Sequence, residues 1–264
     1  MATNGAASVE YTKNEMMTVA AARLLQNGTV CFVGIGLPSA AANLARAMHA
    51  PECVLIYESG TIGSKPDVLP LSIGDGELAE TADAVVSVPE IFAYWLQGGR
   101  VDVGFLGAAQ IDRFANINST VIGDYAHPKV RLPGAGGAPE IAANAKEVYI
   151  VIEQGPRTFP ARIDFMTSGG HLDGGDARAK RGARGAGPTV VITDLGLLKP
   201  DPVTKELTLV AVHPGVTVED ARKATGWELK VAPHVETSPP PTAQELAALR
   251  ELHARTKAAH AAKV

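Results

Sequence analysis

The chain has 264 residues, of which 46% are hydrophobic, 20% charged and 5% aromatic, with a formal net charge of -4. That apolar fraction suffices for a packed core and excludes wholesale disorder, and no stretch of about 18 uninterrupted apolar residues is present to span a membrane. The mildly acidic balance speaks against nucleic acid, which is met by a basic face.

In chain order, residues 1–10 read as a tail. Thr12, with Glu15 three residues on, forms a capping-box pattern ahead of the apolar run Met16–Leu25, and Asn27-Gly28 stops that helix. Thr29–Val33 is a short β-branched apolar strand, followed by Gly34-Ile-Gly36-Leu-Pro-Ser39, an Ala-rich helix from about Ser39 to His49, and a second buried strand, Val54–Tyr57. This strand, turn, helix, strand rhythm is a βαβ unit and implies parallel pairing. Pro89–Gln97 reads as a helix and Val101–Leu106 as a strand, whereas 107–137 has little periodicity and reads as a long functional or interface loop. Pro139–Ala145 is a short helix and Glu147–Ile152 a strand; 168–188, rich in Gly and Arg, reads as a mobile surface loop. Thr189–Thr193 and Leu207–His213 are further strands, and Thr217 caps a helix through Thr225. Pro239–Pro241 is a stiff break before a C-terminal helix, Thr242–Lys263. The expected fold is α/β, an open, mainly parallel sheet with flanking helices. It forms one domain over 11–236, followed by the Pro-rich break and helix of 237–264.

Four places carry candidate chemistry. Gly34-x-Gly36-x-x-Ser39 follows a strand and opens a helix, as a phosphate-cradling turn would, and Glu58 beyond the next strand would suit a ribose hydroxyl. Pro38 and the missing third glycine weaken that dinucleotide reading, and a simple tight turn competes with it. Glu58 itself, in Tyr57-Glu-Ser-Gly-Thr-Ile-Gly63, stands at the carboxyl end of a buried parallel strand, where α/β sheets place ligands. It could serve as general base, nucleophile or structural cap, and Ser59 and Gly60 would let a substrate approach closely. Gly134-Ala-Gly136-Gly137-Ala-Pro139 abuts a helix start and could present amides to developing negative charge, or act as a hinge. Gln110, Asp112, Arg113, Asn116 and Asn118 gather without period, as a polar binding rim or a hydrogen-bonded loop. The seven histidines do not cluster at metal-ligand spacing, so no metal is expected. Cys31 and Cys53 sit in apolar strands and read as buried reduced thiols. No signal peptide is visible, and cytoplasm is the default compartment.

Tyr57-Glu-Ser-Gly-Thr-Ile-Gly63, Leu106-Gly-Ala-Ala-Gln-Ile-Asp112, Asn116-Ile-Asn-Ser-Thr-Val-Ile-Gly-Asp124 and Gly134-Ala-Gly-Gly-Ala138 together resemble the β subunit of a family I CoA-transferase. The similarity runs in order from about Tyr11 to Arg250 and is greatest to the glutaconate and 3-oxoadipate types. The resemblance implies the CoA-transferase fold, Glu58 as catalytic glutamate, and Gly136 and Gly137 as the oxyanion loop. It also implies Ser59, Gly60, Gln110, Asn116 and Asn118 at the substrate. It further implies an α-subunit partner, coenzyme A as substrate rather than resident cofactor, and transfer from an acyl-CoA such as succinyl-CoA to a carboxylate such as 3-oxoadipate. A CoA-ester hydrolase or decarboxylase on the same fold is the alternative.

Overall fold

A computed structural model describes residues 10–262. The strands are β1 Val30–Phe32, β2 Val54–Ile56, β3 Thr61–Ile62, β4 Ala84–Val85, β5 Val103–Gly107, β6 Gln110–Ile111 and β7 Ile117–Asn118, then β8 Val121–Gly123, β9 Pro128–Arg131, β10 Glu147–Val151, β11 Pro188–Ile192, β12 Gly196–Pro200, β13 Leu207–Val212 and β14 Lys230–Thr237. Ten of them form one sheet in the order β14-β13-β12-β11-β10-β5-β1-β2-β3-β4. Its centre, β11-β10-β5-β1-β2, is wholly parallel, with antiparallel pairs toward both edges. The central strands are apolar and buried because helices cover both faces. The open, mainly parallel α/β sheet expected from the sequence is therefore observed.

One face carries α1 (Lys13–Ala22), α2 (Leu37–Met48) and α8 (Ala243–Ala261), packed with Val33, Leu55, Tyr57, Phe105 and Val151. The opposite face buries Phe32, Ile56, Leu106 and Ile150 under α5 (Ala138–Asn144) and residues 91–96. The remaining short helices are α3 (Gly76–Glu80), α4 (Val88–Glu90), α6 (Ala177–Lys180) and α7 (Val218–Lys223).

The capping box expected at Thr12/Glu15 and the cap expected at Thr217 are formed, and Thr217 with Asp220, Ser87 with Glu90 and Thr242 with Glu245 also make capping boxes. Each such cap is worth about 1 kcal/mol. Glu15 and Glu245 also lace α8 to α1. Glu15 accepts from Arg250 at 2.6 and 3.2 Å, and Glu245 accepts from Arg23 at 2.7 and 2.7 Å. Leu246, Leu249 and Leu252 of α8 are buried beneath these pairs.

Three expectations need correction. Residues 107–137 are not unstructured: they hold two antiparallel ribbons, β6-β7 and β8-β9, whose strands are too short to show a period. The helix expected over Pro89–Gln97 is an α-helical turn that passes into a π-helical segment, Ile91–Leu96. The 168–188 segment is no surface loop, because Ser168, His171 and Arg178 are buried in it and α6 lies within it. The expected tail lies outside the described residues except for Glu10.

Candidate active site

Glu58 occupies the turn between β2 and β3. Gly60 N–H donates to Tyr57 O at 3.0 Å and Tyr57 N–H to Thr61 O at 3.1 Å, so Glu58 and Ser59 take the two corners. Both ends of the turn are pinned. Tyr57 is fully buried, and its hydroxyl lies 3.0 Å from Ser39 Oγ on α2. Burial pushes its phenol up to about 12, although the Ser39 hydrogen bond pulls the other way, so Tyr57 stays neutral and acts as an anchor. Gly60 has φ +107°, and a Cβ there would stand 2.0 Å from Val86 O. Only glycine accommodates both the dihedral and the close strand approach. The Glu58 side chain is half-buried and makes no hydrogen bond or ion pair among the described residues. Beside it, Ser59 Oγ is buried without a partner among the described residues.

The glycine-rich segment comes to this carboxylate at the start of α5. Leu132 N–H donates to Thr120 O, and Gly134 exchanges two bonds with Ser119: its N–H donates to Ser119 O at 2.9 Å and its carbonyl accepts from Ser119 Oγ at 2.8 Å. A Cβ on Gly136 would lie 3.7 Å from Glu58 Oε1, and one on Gly137 only 3.0 Å from it and 2.6 Å from Phe92 Cζ. The N–H groups of Gly136 and Gly137 have no acceptor among the described residues. A carboxylate without a partner among the described residues thus lies beside two glycines whose N–H groups are unpaired there, and unpaired amides of this kind are able to serve a developing oxyanion.

The family model for coenzyme A transferase matches residues 14–224. The chain belongs to the coenzyme A transferase family. It is 64% identical to the β subunit of the 3-oxoadipate CoA-transferase of Pseudomonas knackmussii, over 95% of this chain and 96% of that one. To the β subunit of the glutaconate CoA-transferase of Acidaminococcus fermentans it is 39% identical, over 87% and 88%. The crystal structure of glutaconate CoA-transferase from A. fermentans superposes with a TM-score of 0.87 at 36% identity, covering 92% of this chain and 94% of that one. The resemblance drawn from the four motifs is borne out at the level of family and fold.

In this CoA-transferase chain, Gln110, Asn116 and Asn118 are committed to the loop they stand in. Gln110 and Asn118 face each other across β6-β7; Asn118 Nδ2 donates to Gln110 Oε1 at 2.8 Å and Gln110 Nε2 to Asp164 Oδ2 at 3.0 Å. Asn116 Nδ2 donates to Asp112 and to Leu172 O, and its Oδ1 accepts from the Gly170 and Leu172 amides. Of the two readings the sequence left open, the structure displays a hydrogen-bonded loop. Its product is the placement of Ser119, and through Ser119 of the Gly134–Gly137 segment.

The turn at Gly34–Ser39 contributes to a different feature. A cavity of about 920 Å³ lies over the carboxyl ends of β1, β5 and β10, bounded by Gly34–Pro38, Met17, Phe105, Leu249 and the Arg250–Glu15 pair. It opens on the α1/α2/α8 layer, whereas the Glu58 carboxylate meets α5 and Phe92 of the other layer, and Glu58 does not line it. Ser39 turns inward to Tyr57 rather than toward that space. Pro38 removes one N–H from the first turn of α2, which has no side-chain cap.

Sequence reasoning missed Phe92, whose ring shares the Gly137 contact, and Arg178, a buried guanidinium. The π-helical segment around Phe92 has no sequence signature beyond an apolar run. Arg178 is indistinguishable in sequence from its neighbours Arg181 and Arg184.

Proposed function

We propose that this chain is the β subunit of a heteromeric enzyme that moves coenzyme A from succinyl-CoA to 3-oxoadipate through Glu58. The observation that carries the reading is the unpaired Glu58 carboxylate lodged against Gly136 and Gly137. The 64% identity to a 3-oxoadipate CoA-transferase β subunit, against 39% to the glutaconate type, supports the choice of acceptor.

A Glu58 carboxylate oxygen attacks the thioester carbonyl of the donor. The Gly136 and Gly137 amides stabilise the tetrahedral oxyanion, the C–S bond breaks, and CoA thiolate leaves a mixed anhydride. The thiolate attacks the Glu58 carbonyl carbon, the anhydride C–O bond breaks, and the donor acid departs, leaving a glutamyl-CoA thioester. The acceptor carboxylate attacks that thioester and the steps reverse, so that CoA ends on the acceptor and the Glu58 carboxylate is regenerated. Thioester energy is conserved throughout, and kinetics are ping-pong. Ser59 and Gly60 form the surface the substrate approaches, while Gln110, Asn116 and Asn118 serve by holding the loop. An α subunit completes the site, and a cation, best an arginine, holds the distal carboxylate. Coenzyme A enters only as substrate and covalent intermediate.

The test is co-expression with the α subunit, incubation with succinyl-CoA, hydroxylamine or borohydride trapping, and peptide mass analysis. Modification confined to Glu58, and its loss together with transfer in Glu58→Ala, is the expected result. Full activity in that variant overturns the covalent mechanism, and faster transfer to glutaconate than to 3-oxoadipate, when each is offered as acceptor, overturns the substrate assignment.

A further inference from the structure

We propose that Arg178 is a positioning residue for the transfer chemistry: it fixes α5 along its axis and thereby sets the distance between the Gly136–Gly137 backbone and Glu58. This rests on the role proposed above for those residues.

Arg178 is buried on α6, and its guanidinium is used completely. Nε donates to Gly185 O at 3.0 Å, Nη1 to Gly169 O at 3.3 Å and Gly170 O at 3.0 Å, and Nη2 to Ala142 O and to Ala143 O, the latter at 3.3 Å. A guanidinium has five N–H donors, and all five meet backbone carbonyls. No carboxylate lies within ion-pair distance of it among the described residues. Burial accordingly draws its pKa below the ordinary arginine value. A buried cation without a carboxylate is costly, so what it gains must come from where its acceptors are. Two of them, Ala142 and Ala143, are orphan carbonyls of the last turn of α5, where a positive charge also suits the helix dipole.

The rest of the surroundings leave α5 little other freedom. It lies so close to β5 that a Cβ on Gly104 would stand 2.3 Å from Ile141 Cγ2, which prevents approach or tilt. The Arg184 and Gly185 amides both donate to Ala143 O, closing the same end. Gly187, at φ +80°, leaves room for the Arg178 side chain, since a Cβ there would stand 2.9 Å from Nε. Displacement along the helix axis is opposed by the Arg178 fork, which adds two of its hydrogen bonds at this end to those of the Arg184 and Gly185 amides and of Lys146 N–H to Val101 O just past the helix. The other end of α5 begins at Gly137, where an added Cβ would stand 3.0 Å from Glu58 Oε1. Lysine would keep the charge but not the planar fork that spans three chain segments.

The experiment uses the complex with the α subunit. Arg178→Lys should lower kcat about 10- to 100-fold, the scale of a misplacement near 1 Å. The KM for succinyl-CoA should be nearly unchanged, and the trapped Glu58 thioester should form more slowly by the same factor. Arg178→Ala should be slower still, and millimolar guanidinium chloride, but not ammonium chloride, should restore part of its kcat. Wild-type turnover by folded Arg178→Lys overturns the proposal, as does a loss that appears only in KM or only in the folded fraction. If Arg178→Ala fails to fold, Arg178→Lys decides by these readouts. The two proposals separate cleanly: an active Glu58→Ala removes the nucleophile, whereas an inactive Glu58→Ala with a wild-type Arg178→Lys removes only the positioning role.

Discussion

Glu58 and Gly137 stand so close that a single methyl group on the glycine would lie 3.0 Å from the Glu58 Oε1 atom. Gly137 itself has φ -82° and ψ -2°, a conformation open to any residue. Glycine is therefore required there by contact and not by backbone strain. Gly137→Ala is expected to fold but to lose turnover about 10- to 100-fold, as its Cβ displaces both Glu58 and the Phe92 ring. Combining it with Phe92→Leu should recover melting temperature more than kcat, since the Glu58 clash remains. Kinetics of the holoenzyme alongside thermal melts of the four proteins in that cycle provide the check.

Gly60 is the opposite case. Its φ of +107° and the 2.0 Å approach of a Cβ to Val86 O make alanine doubly unfavourable. Gly60→Ala should cost about 2 kcal/mol or more and lower the melting temperature, with activity lost as the Glu58 turn is displaced. An unchanged melt would show that β3 and β4 can separate without penalty.

Acid should loosen α8 from α1. The hydrogen bond from Arg250 holds the Glu15 carboxyl down at about 2, assisted by the Thr12 amide and opposed by burial. At Glu245, burial acts upward, but the Arg23 pair and the Thr242 cap outweigh it and bring it to about 2. Both carboxyls titrate below their unfolded value of 4.5. Their contribution is thus complete above about pH 4.5 and is lost as pH falls toward 2. In Arg23→Leu, Arg250→Leu, stability at neutral pH should be lower and its decline over that window shallower than in the wild type. Thermal melts from pH 7 to pH 2.5 measure both.

Neither cysteine should react in the native state. Both are buried, and burial raises the Cys53 thiol to about 11 and the Cys31 thiol well above the ordinary range. An aromatic disulfide reagent is expected to label no thiol in the folded protein and both after denaturation. Rapid labelling under native conditions would indicate opening of the β1-β2 core.

On the proposed reading, the chain purified alone should turn over no substrate and should gain activity on titration with the α subunit. A plateau at one equivalent gives the stoichiometry, and robust activity without the partner would be incompatible with a shared site.

Local pattern was legible wherever local interactions decide. The Thr12 and Thr217 caps, the buried central strands and the strand-end position of Glu58 all depend on residues within a few positions of one another. The alternation of strands and helices then implied the parallel centre of the sheet. The β6-β7 and β8-β9 ribbons of 107–137 and the strands β3, β4, β12 and β14 were not legible. β3, β4, β6 and β7 have only two residues each and carry no period, β12 starts at a glycine and ends at a proline, and β14 is largely exposed with Pro233 inside it. Glu58, Gly136 and Gly137 could be singled out by residue type and by family resemblance.

The amino-acid sequence by itself therefore determined the class of fold and the family, and it singled out the Glu58 carboxylate at the end of a buried strand. Only the tertiary structure decided what that carboxylate touches. Gly137 reaches Glu58 because α5 is seated on Gly104 of β5, two strands away from the glutamate in the sheet. The same structure decided that Arg178, and not Arg181 or Arg184, goes inside. Burial of a charged group depends on how many carbonyls converge on it in space, and those carbonyls come from three separate stretches of chain.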